Sequence, residues 1–308
     1  MKVIFMGTPD FALRSLEAVY RAGIEIAAVV TQPDRPQGRG NKIIFSPVKQ
    51  FAVEKGILVF QPEKVKSIVE DITKLDPDFI LVVAFGQILP DAVLQAPRYC
   101  CINVHASLLP KYRGAAPINW AVIRGDEESG VATMILDEGM DTGDVLLMRK
   151  TEISPDETAG ELHDRLALIG ADLLVETVEN YDSIEPQPQN VCLASYAPKM
   201  KKEYGEISWD DDARKIHNLV RGCNPWPGAY AKICGDVMKI WKTSFFSDEK
   251  LESLGEPGTV IRVCGEGMDV VTGDGIIRLL EVQREGKKRQ HVSTFIIGCK
   301  LTEGFCFE

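Results

Sequence analysis

The sequence reads as an α/β protein, a doubly wound and mostly parallel sheet followed by a small β-barrel domain. Three observations predict this. Across residues 1–150, apolar runs at 3–6, 26–31, 57–60, 79–85, 102–105 and 131–136 alternate with helically spaced stretches at 11–22 and 65–75. That alternation is the pattern of βαβ units. From Pro225 onward the pattern changes to short apolar segments joined by glycine turns, over about 80 residues. Between the two regions the composition shifts to Glu185-Pro186-Gln187-Pro188 and then to the basic run Lys199-Met200-Lys201-Lys202.

The elements follow in order. Residues 2–6 form a strand that ends in a turn at Gly7. The helix at 11–22 opens after Thr8-Pro9-Asp10, with Asp10 as its expected cap. Residues 144–150 add a strand, and 156–180 form a long amphipathic helix with capping residues within Asp156 to Thr158. A further helix is expected at 210–221. Thr272-Gly273-Asp274-Gly275, between Val270-Val271 and Ile276-Ile277, reads as a hairpin. The 308 residues suit about two domains. The expected division is a catalytic domain at 1–181, a linker at 182–205 and the barrel at 206–308.

Composition narrows the class. Apolar residues make up 45% and charged residues 26%, values ordinary for a globular protein. No stretch approaches the roughly 18 apolar residues of a membrane helix, so no membrane partner is expected. The eight cysteines include adjacent Cys100 and Cys101 but no C-x-x-C pair, which argues against a structural zinc site. They read as free thiols of a reducing compartment. A strand beginning at Lys2 with no leader before it points to the cytoplasm. The net charge is −10, with −8 on residues 1–205 and −2 on 206–308. A nucleic-acid partner therefore has to meet local basic patches, and the C-terminal third repels a polyanion least.

The chemistry concentrates at strand ends. Gly7-Thr8-Pro9-Asp10 lacks the G-x-G-x-x-G fingerprint, and its proline and aspartate obstruct a pyrophosphate, which disfavours a nicotinamide cofactor. Asn103 and His105 lie two apart on one strand and share a face, at the carboxyl end where open α/β sheets place their sites. Asparagine donates a hydrogen bond at any pH, and histidine also exchanges a proton near neutrality. The pair suits the oxyanion of a tetrahedral intermediate. His163, His217 and His291 read as helix-face or surface residues. Asp137, Glu138, Asp141 and Asp144 crowd a glycine-rich turn after another strand. One of them near His105 would orient the imidazole or relay a proton, but spacing does not choose among the four. Arg35, Arg39 and Lys42 fall in a long polar loop suited to phosphate contact.

Phe5–Phe11 (FMGTPDF), Thr31–Gly40 (TQPDRPQGRG), Asn103–Gly114 (NVHASLLPKYRG), Ala115–Pro117, Gly139–Asp144 (GMDTGD) and Asn224–Gly228 (NPWPG) resemble the methionyl-tRNA formyltransferase family, in order from residue 1 to about 290. The SLLPxYRG element marks the wider group of 10-formyltetrahydrofolate-dependent formyltransferases. The resemblance implies a Rossmann-like formyltransferase domain followed by an OB-like barrel. It implies attack by the α-amine of methionyl initiator tRNA on the formyl carbon of 10-formyltetrahydrofolate, the co-substrate. This chemistry requires no metal and the sequence offers no ligand cluster; a monomer is expected. By motif match, Asn103, His105 and Asp141 are the catalytic residues. Ser107, Leu108, Leu109 and Pro110 match the folate-lining segment. Phe85, Gly86, Gln87, Ile88 and Leu89 match the loop that holds the pterin through backbone groups. Arg39 matches the loop arginine that meets the tRNA acceptor end.

Candidate tRNA contacts are Arg35, Arg39 and Lys42 in the loop, Lys199, Lys201 and Lys202 in the linker, and Arg284, Lys287, Lys288 and Arg289 in the barrel. A sugar-nucleotide N-formyltransferase is the nearest rival, sharing the folate site but not needing the arginine-rich loop. A formyltetrahydrofolate hydrolase has little use for the barrel. A non-catalytic RNA-binding protein leaves Asn103, His105 and Asp141 without a purpose. Residues 298–308 match no motif.

Overall fold

The computed structural model describes residues 1–37, 42–233, 235–246, 255–298 and 302–307. It divides into two compact units. Met1–Gly114, Ser129–Thr151 and His163–Ala197 form the first, and Ala115–Glu128, Glu152–Leu162 and Pro198–Glu308 form the second.

In chain order the first half contains β1 (Lys2–Gly7), α1 (Asp10–Arg21), β2 (Glu25–Val30), β3 (Arg35–Gln37), β4 (Lys42–Ile44), α2 (Pro47–Glu54) and β5 (Val59–Phe60). A 3-10 turn at Val65–Ile68 then runs into α3 (Val69–Lys74), β6 (Phe79–Val83), α4 (Asp91–Leu94), β7 (Cys100–His105) and β8 (Arg113–Gly114). α5 (Pro117–Arg124), β9 (Glu128–Ile135), β10 (Val145–Glu152), α6 (Ala159–Glu179) and β11 (Tyr196–Ala197) follow.

The main sheet has the order β10-β9-β7-β6-β1-β2-β5. β5, β2, β1, β6 and β7 run parallel, and β9 is antiparallel to β7. Val3, Ile4, Phe5 and Met6 are all fully buried, so β1 is covered on both faces. Ile4, Met6, Ile80 and Val82 pack on one face against Val65, Ile72 and Val93. The order reverses at β1, with β2 on one side and β6 on the other. In such sheets the ligand crevice lies outside the carboxyl ends of the strands at that point.

Local chemistry explains the helix starts. Ser46 accepts from the Lys49 amide and Pro47 opens α2. Thr158 and Glu161 exchange hydrogen bonds as a capping box before α6. α1 departs from expectation. Pro9 holds the cap position, and Asp10 is the first helical residue, where its charge meets the positive end of the helix dipole. Residues 182–197 are tied down. Gln187 exchanges two backbone hydrogen bonds with Val145 (2.9 and 2.8 Å), and β11 pairs with β8.

The second unit contains α7 (Ala213–Gly222), β12 (Ala229–Ile233), β13 (Asp236–Phe246), β14 (Val260–Cys264), β15 (Gly267–Val271), β16 (Ile276–Arg284), β17 (Gln290–His291) and α8 (Val292–Phe295). The antiparallel order is β12-β13-β16-β15-β14, with β17 on β16. The hairpin expected at 270–277 joins β15 to β16. α7 is capped by Asp212 and buries Ile216 and Val220 with Ile240 and Leu279. The C-terminal residues without a motif have a structural role. Val260 donates to the Phe305 carbonyl at 2.7 Å, and Phe307 is buried against Trp209. Among the described residues no helix is long and apolar enough to cross a membrane.

Candidate active site

Asn103 and His105 occupy the carboxyl end of β7, among five parallel strands whose carboxyl ends open on one side. Asn103 is half-buried. Among the described residues nothing hydrogen-bonds its side-chain amide, so both N–H donors stay available. His105 is 6% exposed and is held on two sides. Its Nε2 lies 2.9 Å from the Tyr112 carbonyl, which only accepts, so Nε2 carries a hydrogen and donates. Its Nδ1 lies 3.6 Å from Asp141 Oδ2, close enough for the carboxylate to act on the ring electrostatically.

The structure brings Asp141 to His105, while it engages the Asp137 carboxylate elsewhere and exposes Glu138. Asp137 accepts from Thr142 Oγ1 at 2.7 Å and from the Gly139 amide at 3.0 Å, folding the loop on itself. Glu138 is exposed, and Asp144 offers its carbonyl to the Ile135 amide. Asp141 stands at φ +53°, a left-handed conformation that costs on the order of 1–3 kcal/mol in a non-glycine residue. Its carboxylate accepts from the Gly114 amide at 2.8 Å. Gly114 has no alternative here. At φ +112° a Cβ would meet the Tyr196 ring at 2.7 Å and the Ala197 carbonyl at 2.8 Å. A Cβ on Gly143 would likewise meet the Ile135 carbonyl at 1.9 Å.

The segment read as linker supplies supports that composition hid. Gln189 Nε2 donates to the carbonyls of Asp141 (2.9 Å) and Gly143 (2.7 Å). Its Oε1 accepts from Arg113 Nε and Nη2 at 3.1 and 2.8 Å. Ser195 Oγ accepts from the Tyr112 amide at 2.9 Å. A Pro/Gln-rich stretch carries no periodic signal that could have revealed these roles.

The expected folate residues divide into wall and edge. Phe85 and Leu89 are buried, whereas Gly86 and Ile88 are exposed and Gln87 is half-buried. Ala84 and Gly86 both have positive φ, so the chain turns outward after β6 and presents its backbone. Gln87 is anchored by the Val65 amide (2.9 Å to Oε1). Ser107 is buried and its hydroxyl donates to the Lys111 carbonyl at 2.6 Å, which closes the turn. Leu109 packs with Ala132, Met134 and Val145. Leu108 and Pro110 are half-buried.

The long polar loop is rooted next to this edge. Gln32 donates from Nε2 to the Phe85 carbonyl at 3.0 Å and from its amide to Thr8 Oγ1 at 3.2 Å. Gln61 bridges the Gln32 carbonyl and Asp34, and Lys49 pairs with Asp34. Burial opposes ionisation of Asp34, yet the hydrogen bonds from Lys49 and Gln61 hold its carboxyl below the usual range.

Arg35 is exposed on β3, with Glu63 at 3.9 Å. Lys42 lies on β4, and Arg39 lies outside the described residues. Lys199, Lys201, Lys202, Lys287 and Lys288 are all exposed on the second unit. Arg284 reaches over Phe295, and Arg289 pairs with Glu281. The described cysteines are free thiols, and burial pushes Cys101 up to about 12, which suits packing. His163 rests edge-on against Phe11, and His291 caps α8. His217 is buried rather than superficial.

Fold and site together define a formyl transferase. Residues 1–178 match the formyl transferase family model, and residues 199–300 match that of the formyl transferase C-terminal domain. Over 99% of its length the chain is 48% identical to the methionyl-tRNA formyltransferase of Geobacter metallireducens, covering 97% of that protein. It is 49% identical to that of Acetivibrio thermocellus, over 99% of this chain and 98% of the relative. The chain belongs to the methionyl-tRNA formyltransferase family. Solved structures share the fold at lower identity. An N-formyltransferase from Helicobacter canadensis, in complex with folinic acid and dTDP-3-aminofucose, aligns with a TM-score of 0.67 at 20% identity, over 91% of this chain and 99% of its own. HypX from Aquifex aeolicus with tetrahydrofolic acid aligns at 0.63 and 20% identity, over 97% of this chain but only 47% of that longer one.

Proposed function

We propose that this protein transfers the formyl group of 10-formyltetrahydrofolate to the α-amine of methionyl initiator tRNA, giving formylmethionyl-tRNA. The observation that carries the chemistry is the His105–Asp141 pair beside the unengaged amide of Asn103. The acceptor rests on the full-length relatives. The outward-turned backbone at 84–88 fits a pterin, which offers donors and acceptors along one edge. The bound folate presents the formyl carbon; as the tetrahedral intermediate collapses, the bond from that carbon to N10 breaks, N10 takes up a proton, and tetrahydrofolate leaves.

The residues then have distinct work. As the amine adds to the formyl carbon, negative charge grows on the oxygen, and the Asn103 amide donates to it. An oxyanion donor of this kind is worth about 2.7–4 kcal/mol of barrier. His105 is fixed by Tyr112, so its Nδ1 edge stays turned to the reacting centre and to Asp141. Asp141 receives the proton that the amine must lose, directly or through water, and it balances charge on the imidazole. Arg35, Arg39, Lys42, Lys199, Lys201, Lys202, Lys287 and Lys288 supply the phosphate contacts that an acidic protein needs for tRNA.

The test offers methionyl initiator tRNA and a 4-amino sugar nucleotide together, with 10-formyltetrahydrofolate as donor. A gain of one formyl group on the tRNA product, seen by intact mass, is the expected result. Transfer to the sugar alone would keep the catalytic reading and overturn the acceptor.

A further inference from the structure

We propose that Gln189 is a positioning residue for formyl transfer, and that it sets the direction of the Asp141 carboxylate. The inference rests on the catalytic reading of Asp141 given above. Four hydrogen bonds converge on this one side-chain amide. Its nitrogen donates to the carbonyls of Asp141 and Gly143, and its oxygen accepts from two nitrogens of Arg113. Gln189 therefore joins two segments that each hold one side of the His105 ring. Tyr112, next to Arg113, offers the carbonyl to Nε2, while Asp141 faces Nδ1.

Asp141 needs such a restraint. Its backbone is left-handed at φ +53°, and the loop's internal hydrogen bonds run to Asp137, not to Asp141. The only hydrogen bonds that fix Asp141 among the described residues are the Gly114 amide on its carboxylate and Gln189 on its carbonyl. Releasing the carbonyl lets the peptide rotate, and the carboxylate swings with it. A misplacement on the order of 1 Å costs about 100-fold in rate.

The chemistry of the two ends separates positioning from simple anchoring. Gln189→Glu keeps the acceptor for Arg113 but loses both donors, and turns a carboxylate toward two carbonyls. Gln189→Ala removes both ends. Gln187→Ala serves as the control from the same segment, since among the described residues that side chain bonds only to the Glu185 carbonyl.

The experiment measures single-turnover formyl transfer to methionyl-tRNA, with KM for both substrates and a melting curve for each variant. The expected result is a fall of about 10- to 100-fold in the rate at saturation for both Gln189 variants, with KM values within about threefold and Gln187→Ala like wild type. A wild-type rate in Gln189→Ala, full activity in Gln189→Glu, or a loss confined to KM would overturn the assignment. If Gln189→Ala does not fold, the Gln189→Glu rate decides. A wild-type protein inactive on methionyl-tRNA would defeat the acceptor reading. An active wild type with an equally active Gln189→Ala defeats only this inference.

Discussion

The two units differ in how they hold the side chains expected to work in each. In the first, the side chains in and around the proposed site are gripped by backbone atoms of other segments. His105 meets the Tyr112 carbonyl, Asp141 meets the Gly114 amide, and Gln32 meets the Phe85 carbonyl. In the second, the lysines expected to meet tRNA stand exposed on the surface. The contrast follows from the work required. Acyl transfer depends on placement to a fraction of an ångström. Phosphate attraction acts over about 8–10 Å at ordinary salt and tolerates mobile side chains. Loss of one group should therefore be severe in the first unit and graded in the second.

The most direct way to break this comparison is to remove a gripped group. Asn103→Ala and Asp141→Asn are expected to lower kcat by about 100- to 1,000-fold, the range typical of a lost oxyanion donor or general base. The fold should persist, because Asn103 is only half-buried and Asn is isosteric with Asp. Asp141→Asn keeps the acceptor for Gly114 through its side-chain oxygen but cannot take a proton. Turnover at saturating substrates checks both. A rise in KM alone, with kcat intact, would mean these groups bind rather than catalyse.

What the sequence revealed follows the same line. The parallel sheet was legible because its strands are buried on both faces and so read as unbroken apolar runs, as at 79–83. Asn103 and His105 were legible because a strand's period of two puts them together. Spacing does not separate Asp141 from the other three acids, since its place beside His105 goes with a bond to Gly114, 27 residues away. Gln189 was hidden for a stronger reason. Its partners lie 46 to 76 residues off, and a proline-rich stretch has no periodicity to betray them. Asp10 was misplaced by one residue because Pro9, fixed in φ and lacking an N–H, takes the cap itself.

The second unit should respond by increments. Lys287→Ala with Lys288→Ala is expected to raise KM for tRNA several-fold and leave kcat near wild type, since neither is among the groups proposed to act on the formyl carbon or the amine. The salt dependence should also flatten. For each phosphate left without its cation, the slope of log affinity against log salt should fall by about 0.7–0.9. Titrating tRNA binding from about 50 to 200 mM salt measures this. Equal slopes in wild type and variant would remove this patch from the interface.

The smallest expected effect concerns His217, a gripped side chain placed in the second unit. It is 5% exposed. Its Nε2 donates to the Pro155 carbonyl at 3.2 Å, and its Nδ1 accepts from Thr243 Oγ1 at 2.9 Å. That arrangement fits the neutral ring. Burial disfavours the charged form most, Pro155 opposes that, and Arg221 adds to it, so the imidazole is held below its ordinary value near 6.5. The sign follows from linkage. Between the lowered folded value and about 6.5, the unfolded chain binds the extra proton and the folded chain does not. Stability therefore declines as pH falls through about 6.5 and levels off below the folded value. Exposed Asp156, with Oδ1 at 3.5 Å from Nε2, limits the effect because it favours the proton. Melting curves from pH 7.5 to 5 should show this slope in wild type and a shallower one in His217→Gln. Identical slopes would mean that His217 gains its proton equally well in both states, and that being gripped in this unit serves packing alone.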